Sequence, residues 1–99
     1  MNMNRYFTEE RKISIVKQLQ QNNGISLAEM AEKLNVSTRT IRNDLKLINE
    51  ELEDAAFIEL EQGNCYLYIT NRQKLEQKRL FGKILKTALI LLKKAPVIL

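Results

Sequence analysis

The chain contains no histidine and a single cysteine, Cys65. An internal disulfide is excluded, and a zinc site has too few ligands to form. This cysteine usage fits a reducing compartment. The opening "MNMNRYFTEERK" has no apolar stretch of the kind a signal peptide needs, so a cytoplasmic location is expected. "ALILL" is only five apolar residues, set among Lys83, Lys86, Lys93 and Lys94, far short of the roughly 20 that a bilayer span requires. Also missing are an internal repeat, a low-complexity tract, a Gly-rich phosphate loop and a paired-carboxylate cleft. A chain of 99 residues has little room to build a catalytic pocket. No enzyme activity, cofactor or metal is expected.

Charge is present, but unevenly. Residues 1–70 hold 8 Lys/Arg against 11 Asp/Glu, a net of −3, whereas residues 71–99 hold 8 against Glu76 alone, a net of +7. The overall charge of +4 is therefore a property of the tail. Any contact that the first 70 residues make with nucleic acid needs a local basic face on an acidic body.

Hydrophobic spacing predicts a helix from Thr8, as N-cap, to about Asn22, with Ile13, Val16 and Leu19 or Gln20 inward and Ile15 at the edge. "NNG" at 22–24 ends it. A second helix opens at Ser26, with Glu29 completing a capping box and Leu27, Met30, Ala31 and Leu34 on one face. "NVS" at 35–37 is a tight turn, in which Asn35 tolerates positive φ. A third helix opens at Ser37, and Ile41, Leu45, Ile48 and Leu52 form its inner stripe. The period then changes to two. In "FIELEQGNCYLYI", pairing Ile58 with Ile69 and Leu60 with Leu67 leaves a type II′ loop at Gly63-Asn64. A long helix is expected from Arg72 to Ala95, stopped by Pro96, with Leu75, Phe81, Ile84, Leu85, Ala88, Leu89 and Leu92 on a broad face. The fold class is mostly α with a small β-hairpin. Residues 1–70 form a winged helix-turn-helix, and residues 71–99 a basic amphipathic helix.

In that arrangement the second helix braces and the third protrudes, slender enough for a major groove. Its outer residues are Thr38, Arg39, Thr40, Arg42, Asn43 and Lys46. Arg can pair with guanine and Asn with adenine through two hydrogen bonds, while Thr can bond to a base or pack on a thymine methyl. Lys46 suits a phosphate, as do the free amides behind Ser26 and Ser37. Asp44 is expected to be oriented by arginines of its own helix. Glu59 and Glu61 make the hairpin a poor phosphate clamp.

The stretch "ISLAEMAEKLNVSTRTIRNDLKLINEEL" resembles the N-terminal DNA-binding domain of bacterial regulators of the DeoR type. It resembles still more closely that of sugar-operon activators with phosphotransferase-regulated domains, and of Mga-type regulators. The matching residues are Leu27–Ala28, Leu34, Val36–Ser37, Arg39 to Arg42, Asp44–Leu45, Ile48–Asn49 and Leu52. The resemblance covers residues 8–70 and implies a winged helix that binds double-stranded DNA. Such regulators are several times longer, so it also implies either a fragment of one or a stand-alone relative.

Homodimerisation through residues 72–95 is expected from the apolar face of the tail, which would otherwise be an exposed sticky patch. The alternative function is a winged helix that meets protein instead of DNA. The outer side of the third helix separates the two readings. Arg and Thr there favour DNA, and Leu47 is the one apolar residue that looks exposed.

Overall fold

The computed structural model describes residues 3–81, with side chains from residue 8 onward. Three helices lead into a hairpin: α1 (Met3–Gln21), α2 (Leu27–Leu34), α3 (Thr38–Leu52), β1 (Ala56–Glu61) and β2 (Asn64–Ile69), followed by a short α4 (Arg72–Gln77). This is the winged helix-turn-helix arrangement. Among the described residues no helix is long and apolar enough to cross a membrane.

Helix α1 starts five residues before the expected cap at Thr8, because nothing between Met3 and Thr8 interrupts it. Its buried positions are Lys12, Ile15, Val16 and Leu19, spaced three, one and three apart. Ile15 is therefore core and not edge, and a lysine occupies the fourth place in the stripe. Met30 of α2 and Ile41, Ile48 and Leu52 of α3 close over these residues with almost no exposure. Burial of each large aliphatic side chain contributes roughly 1.5–3 kcal/mol.

The turn between α2 and α3 forms as the residues dictate. Asn35 takes the left-handed conformation (φ 55°, ψ 47°), and its N–H reaches the carbonyls of Ala31 and Glu32. The Val36 N–H donates to Ala31 at 3.0 Å, completing a Schellman end. Ser37 then caps α3, accepting from the Thr40 N–H at 3.1 Å. At Ser26 only half of the capping box forms. Ser26 Oγ accepts from the Glu29 N–H at 3.0 Å, but the Glu29 carboxylate lies 3.6 Å from Lys33. Helix α3 ends in a turn whose first central residue, Glu53, sits at φ 51°, ψ −120°, where glycine is normally favoured.

The hairpin register differs from the expected one by two residues. Ala56 faces Ile69, Ile58 faces Leu67 and Leu60 faces Cys65. The loop is Gln62-Gly63, with φ 53° and 81°, so it is of the I′ kind and not II′. A shift of two preserves side-chain parity, so the inward set is unchanged. The register is fixed from outside the hairpin. Gly24 N–H donates to Cys65 O, Cys65 N–H to Ile25 O and Leu27 N–H to Gly63 O, each at 2.8 Å. The segment before α2 thus acts as a third strand.

Two asparagines complete the edges. Asn23 accepts from the Leu67 N–H at 2.8 Å and donates to the Leu67 carbonyl at 3.1 Å. On the other side Asn49 accepts from the Ile58 N–H at 2.7 Å and donates to its carbonyl at 3.0 Å. Each carboxamide imitates a neighbouring peptide group. Asn49→Ala should cost about 1–3 kcal/mol, since it leaves two part-buried backbone groups unpaired. Asn49→Asp should also destabilise, because a carboxylate cannot donate to Ile58. An unchanged urea midpoint for both would show that water replaces the side chain.

The packing continues past residue 70. Leu75, Leu80 and Phe81 are all buried in the same core. A single helix from Arg72 does not form: α4 stops at Gln77, and Lys78 is extended (φ −72°, ψ 137°) before residues 79–81 become helical again. Ion pairs hold this piece to the end of α3. Lys74 lies 2.7 Å from Asp54, and Lys78 pairs with Glu53. These contacts favour a bent path that returns Leu80 and Phe81 to the core. Leu75, Leu80 and Phe81 of the expected tail helix therefore pack into the core of their own chain. The rest of the expected helix, with Leu85, Ala88, Leu89 and Leu92, lies outside the described residues.

Candidate nucleic-acid interface

Helix α3 presents its outer side as expected. Thr38, Arg39, Arg42, Asn43 and Lys46 are exposed, while Ile41, Asp44, Leu45, Ile48 and Leu52 face inward. Apart from Lys17 and Arg72, which are exposed elsewhere and make no ion pair with other described residues, the described cations fall into two sets. Arg11, Lys12, Lys33, Lys74, Lys78 and Arg79 are engaged in ion pairs. Arg39, Arg42 and Lys46 make none with other described residues, and they stand on the same side of α3. A cation without an internal partner gives up nothing when it meets a phosphate or a guanine edge.

The expected site residues differ in their surroundings. Thr40 is half-buried and its Oγ1 lies 3.0 Å from Ser37 Oγ, so its hydroxyl supports the cap. Behind Ser37 the N–H groups of Thr38 and Arg39 have no partner among the described residues, so they are open to an acceptor at the start of α3. Ser26 is a weaker anchor than expected. The Leu27 N–H already donates to Gly63 and the Glu29 N–H to Ser26 Oγ, which leaves the Ala28 N–H.

What aims α3 lies beneath it. Asp44 is buried, at 2% exposed, and its partner is Arg11 of α1, not an arginine of its own helix. Arg11 Nε and Nη2 donate to the two carboxylate oxygens, the second bond at 3.0 Å. This two-point contact fixes both the position and the rotation of α3. The hydrogen bond to Asp44 holds the Arg11 pKa above its ordinary value, against the effect of burial. The next residue, Lys12, lies 2.6 Å from Glu51 and 3.3 Å from Glu9. Burial acts to lower the Lys12 pKa, but Glu51 and Glu9 outweigh it and the net displacement is upward. Arg79 closes the group, 2.8 Å from Glu9 and 3.7 Å from Glu51. The sequence did carry a signal for these residues. Asp44 and Lys12 fall on the apolar stripes of their helices, where a charge must find a partner.

An open groove between α3 and β1 is bordered by Arg42, Asn43 and Lys46 on one side and by Glu59 and Leu60 on the other. Glu59 therefore places negative charge beside the basic face. Glu59→Gln combined with Glu61→Gln should strengthen non-specific binding to a duplex short enough for a single domain by about two- to fivefold at low salt. A clear loss of binding, with an intact circular dichroism spectrum, would instead mean that these carboxylates make required contacts.

A family model described as an HTH domain matches residues 11–67, more than half of the chain. No match was found among curated proteins or among solved structures. The matched span begins at the arginine that grips α3 and ends at the β2 residue that Asn23 holds. The chain therefore belongs to the helix-turn-helix domain family and carries a DNA-binding domain of that kind.

Proposed function

We propose that the chain is the sequence-specific DNA-binding module of a bacterial transcription regulator, acting in the cytoplasm and without catalysis. Helix α3 enters the major groove, where Arg39, Arg42 and Asn43 meet base edges and Thr38 and Lys46 meet bases or phosphates. The observation that carries this reading is the segregation of cations. Those elsewhere on the body are mostly paired, whereas the three on the outer side of α3 are not. Selection from random duplexes tests it, since the reading requires recovery of a shared site that is bound more tightly than bulk DNA. Leu47, 40% exposed, is the residue that would favour a protein partner for α3. It lines a recess with Thr8, Glu9, Lys12 and Arg79, away from the groove that Arg42 and Lys46 border, so DNA is the better reading.

The functional unit we infer is a homodimer held by residues after Phe81. The apolar residues Leu85, Ala88, Leu89 and Leu92 recur there at helical spacing. A two-fold pair would set half-sites about one helical turn apart on the duplex.

A further inference from the structure

The inner face of the hairpin is committed to the core, but its outer face is not. That face carries Phe57, Glu59 and Glu61 from β1 and Tyr66 and Tyr68 from β2. Phe57 and Tyr68 are cross-strand partners whose rings stack at 5.1 Å, yet they remain 40% and 38% exposed. The Tyr68 hydroxyl donates to Glu61, which steadies the ring in that exposed position. None of these five positions is basic. A face that is aromatic and anionic repels a phosphate backbone. It suits lysines carried among apolar side chains, through ion pairing and cation–π contact.

The chain itself contains such a segment. Residues 82–99 include Lys83, Lys86, Lys93 and Lys94, no Asp or Glu, and many Leu and Ile. We propose that the outer face of the hairpin is the seat for the basic segment 82–99 of a second copy of this chain. The inference rests on the homodimer proposed above and names its surface.

A partner's segment has the more open approach. Phe81, the last described residue, borders a recess with Leu67 and Ile69, which belong to the inner side of the same hairpin. One hairpin edge is closed by Asn49 of α3, and the other by residues 23–27. A segment leaving Phe81 therefore starts on the wrong side of its own sheet. Reciprocal exchange about a two-fold axis supplies two such contacts per dimer.

The sign of the salt dependence separates this surface from self-pairing of the two basic tails. Tails that pair with each other bring lysines together, so association strengthens with added salt. A basic tail on an acidic hairpin weakens with added salt. Sedimentation of the full chain across concentration and ionic strength should show a dimer of the second kind. Glu59→Lys with Glu61→Lys should weaken association by about tenfold or more, and so should Lys→Glu at 83, 86, 93 and 94. An equimolar mixture of the two variants should associate again, because each then offers the charge that the other needs. Circular dichroism checks each variant. Should the hairpin not tolerate lysine, Glu59→Gln with Glu61→Gln must still weaken association and flatten its salt dependence. A dimer that strengthens with salt and ignores the hairpin variants overturns this surface while keeping the dimer. A monomer under all conditions overturns both.

Discussion

Arg11→Ala should lower folding stability by about 3–5 kcal/mol, the loss typical when one partner of a buried ion pair is removed. The asymmetry of the pair sets this size. Asp44 is 2% exposed, so without Arg11 its carboxylate is left in the core beside Leu45 and Ile41. Asp44→Ala should cost less, because Arg11 is 21% exposed and its guanidinium can turn to water. Replacing both together, Arg11→Met with Asp44→Leu, should recover most of the loss, since two apolar groups leave nothing unpaired. Urea denaturation of the three variants tests the cycle. A loss for Arg11→Ala of under about 1 kcal/mol, the level of a surface ion pair, would show that this contact does not hold α3 in place. A chain of this size has stability of only about 5–15 kcal/mol, so Arg11→Ala should also weaken DNA binding at physiological temperature simply by unfolding.

Arg39→Ala and Arg42→Ala should behave in the opposite way. Each should weaken binding to the selected duplex by about 1–3 kcal/mol, and thermal unfolding should stay nearly unchanged. Both side chains are exposed and make no ion pair with other described residues, so the free protein loses nothing when they are cut back. Lys46→Ala should act differently again, with weaker binding to every sequence and a salt slope reduced by about one. Gel shifts over a salt series distinguish these outcomes. Unchanged affinity in both arginine variants would remove α3 as the reading helix.

The parts of the fold that local chemistry controls were legible in the sequence. Ser37 before Thr38–Thr40, Asn35 in a short turn, and the four-three-four spacing of Ile41, Leu45, Ile48 and Leu52 each have one good solution, and the structure adopts it. What escaped depends on contacts across the chain. Nothing near Gln62 says that its backbone will take positive φ. That follows from the bonds of Cys65 to Gly24 and Ile25, some 40 residues earlier, which set where β2 begins. The helix expected from Arg72 rests on spacing alone. Its break at Lys78 accompanies the return of Leu80 and Phe81 to the core, with Lys74 and Lys78 paired to Asp54 and Glu53. Thr40 stands beside Arg39 in the sequence, and only the structure sets its Oγ1 against Ser37 Oγ. For Asp44 the sequence displays the arginines of its own helix first, whereas Arg11 lies 33 residues away.

The bonds around Asn23 also bear on how the molecule ages. An asparagine followed by glycine is prone to lose its side-chain amide, because the next backbone nitrogen can attack the carboxamide and close a succinimide ring. Here the Gly24 nitrogen donates its hydrogen to Cys65 at 2.8 Å, and the Asn23 carboxamide is held at both ends by Leu67. Ring closure requires all three bonds to open, so the folded hairpin protects its own most labile amide. Once opened, the loop has no such shelter. The ring opens to isoaspartate, which adds an atom to the backbone, or to aspartate, which sets a carboxylate against the Leu67 carbonyl. Each lapse of this small joint can thus be recorded as a permanent covalent change.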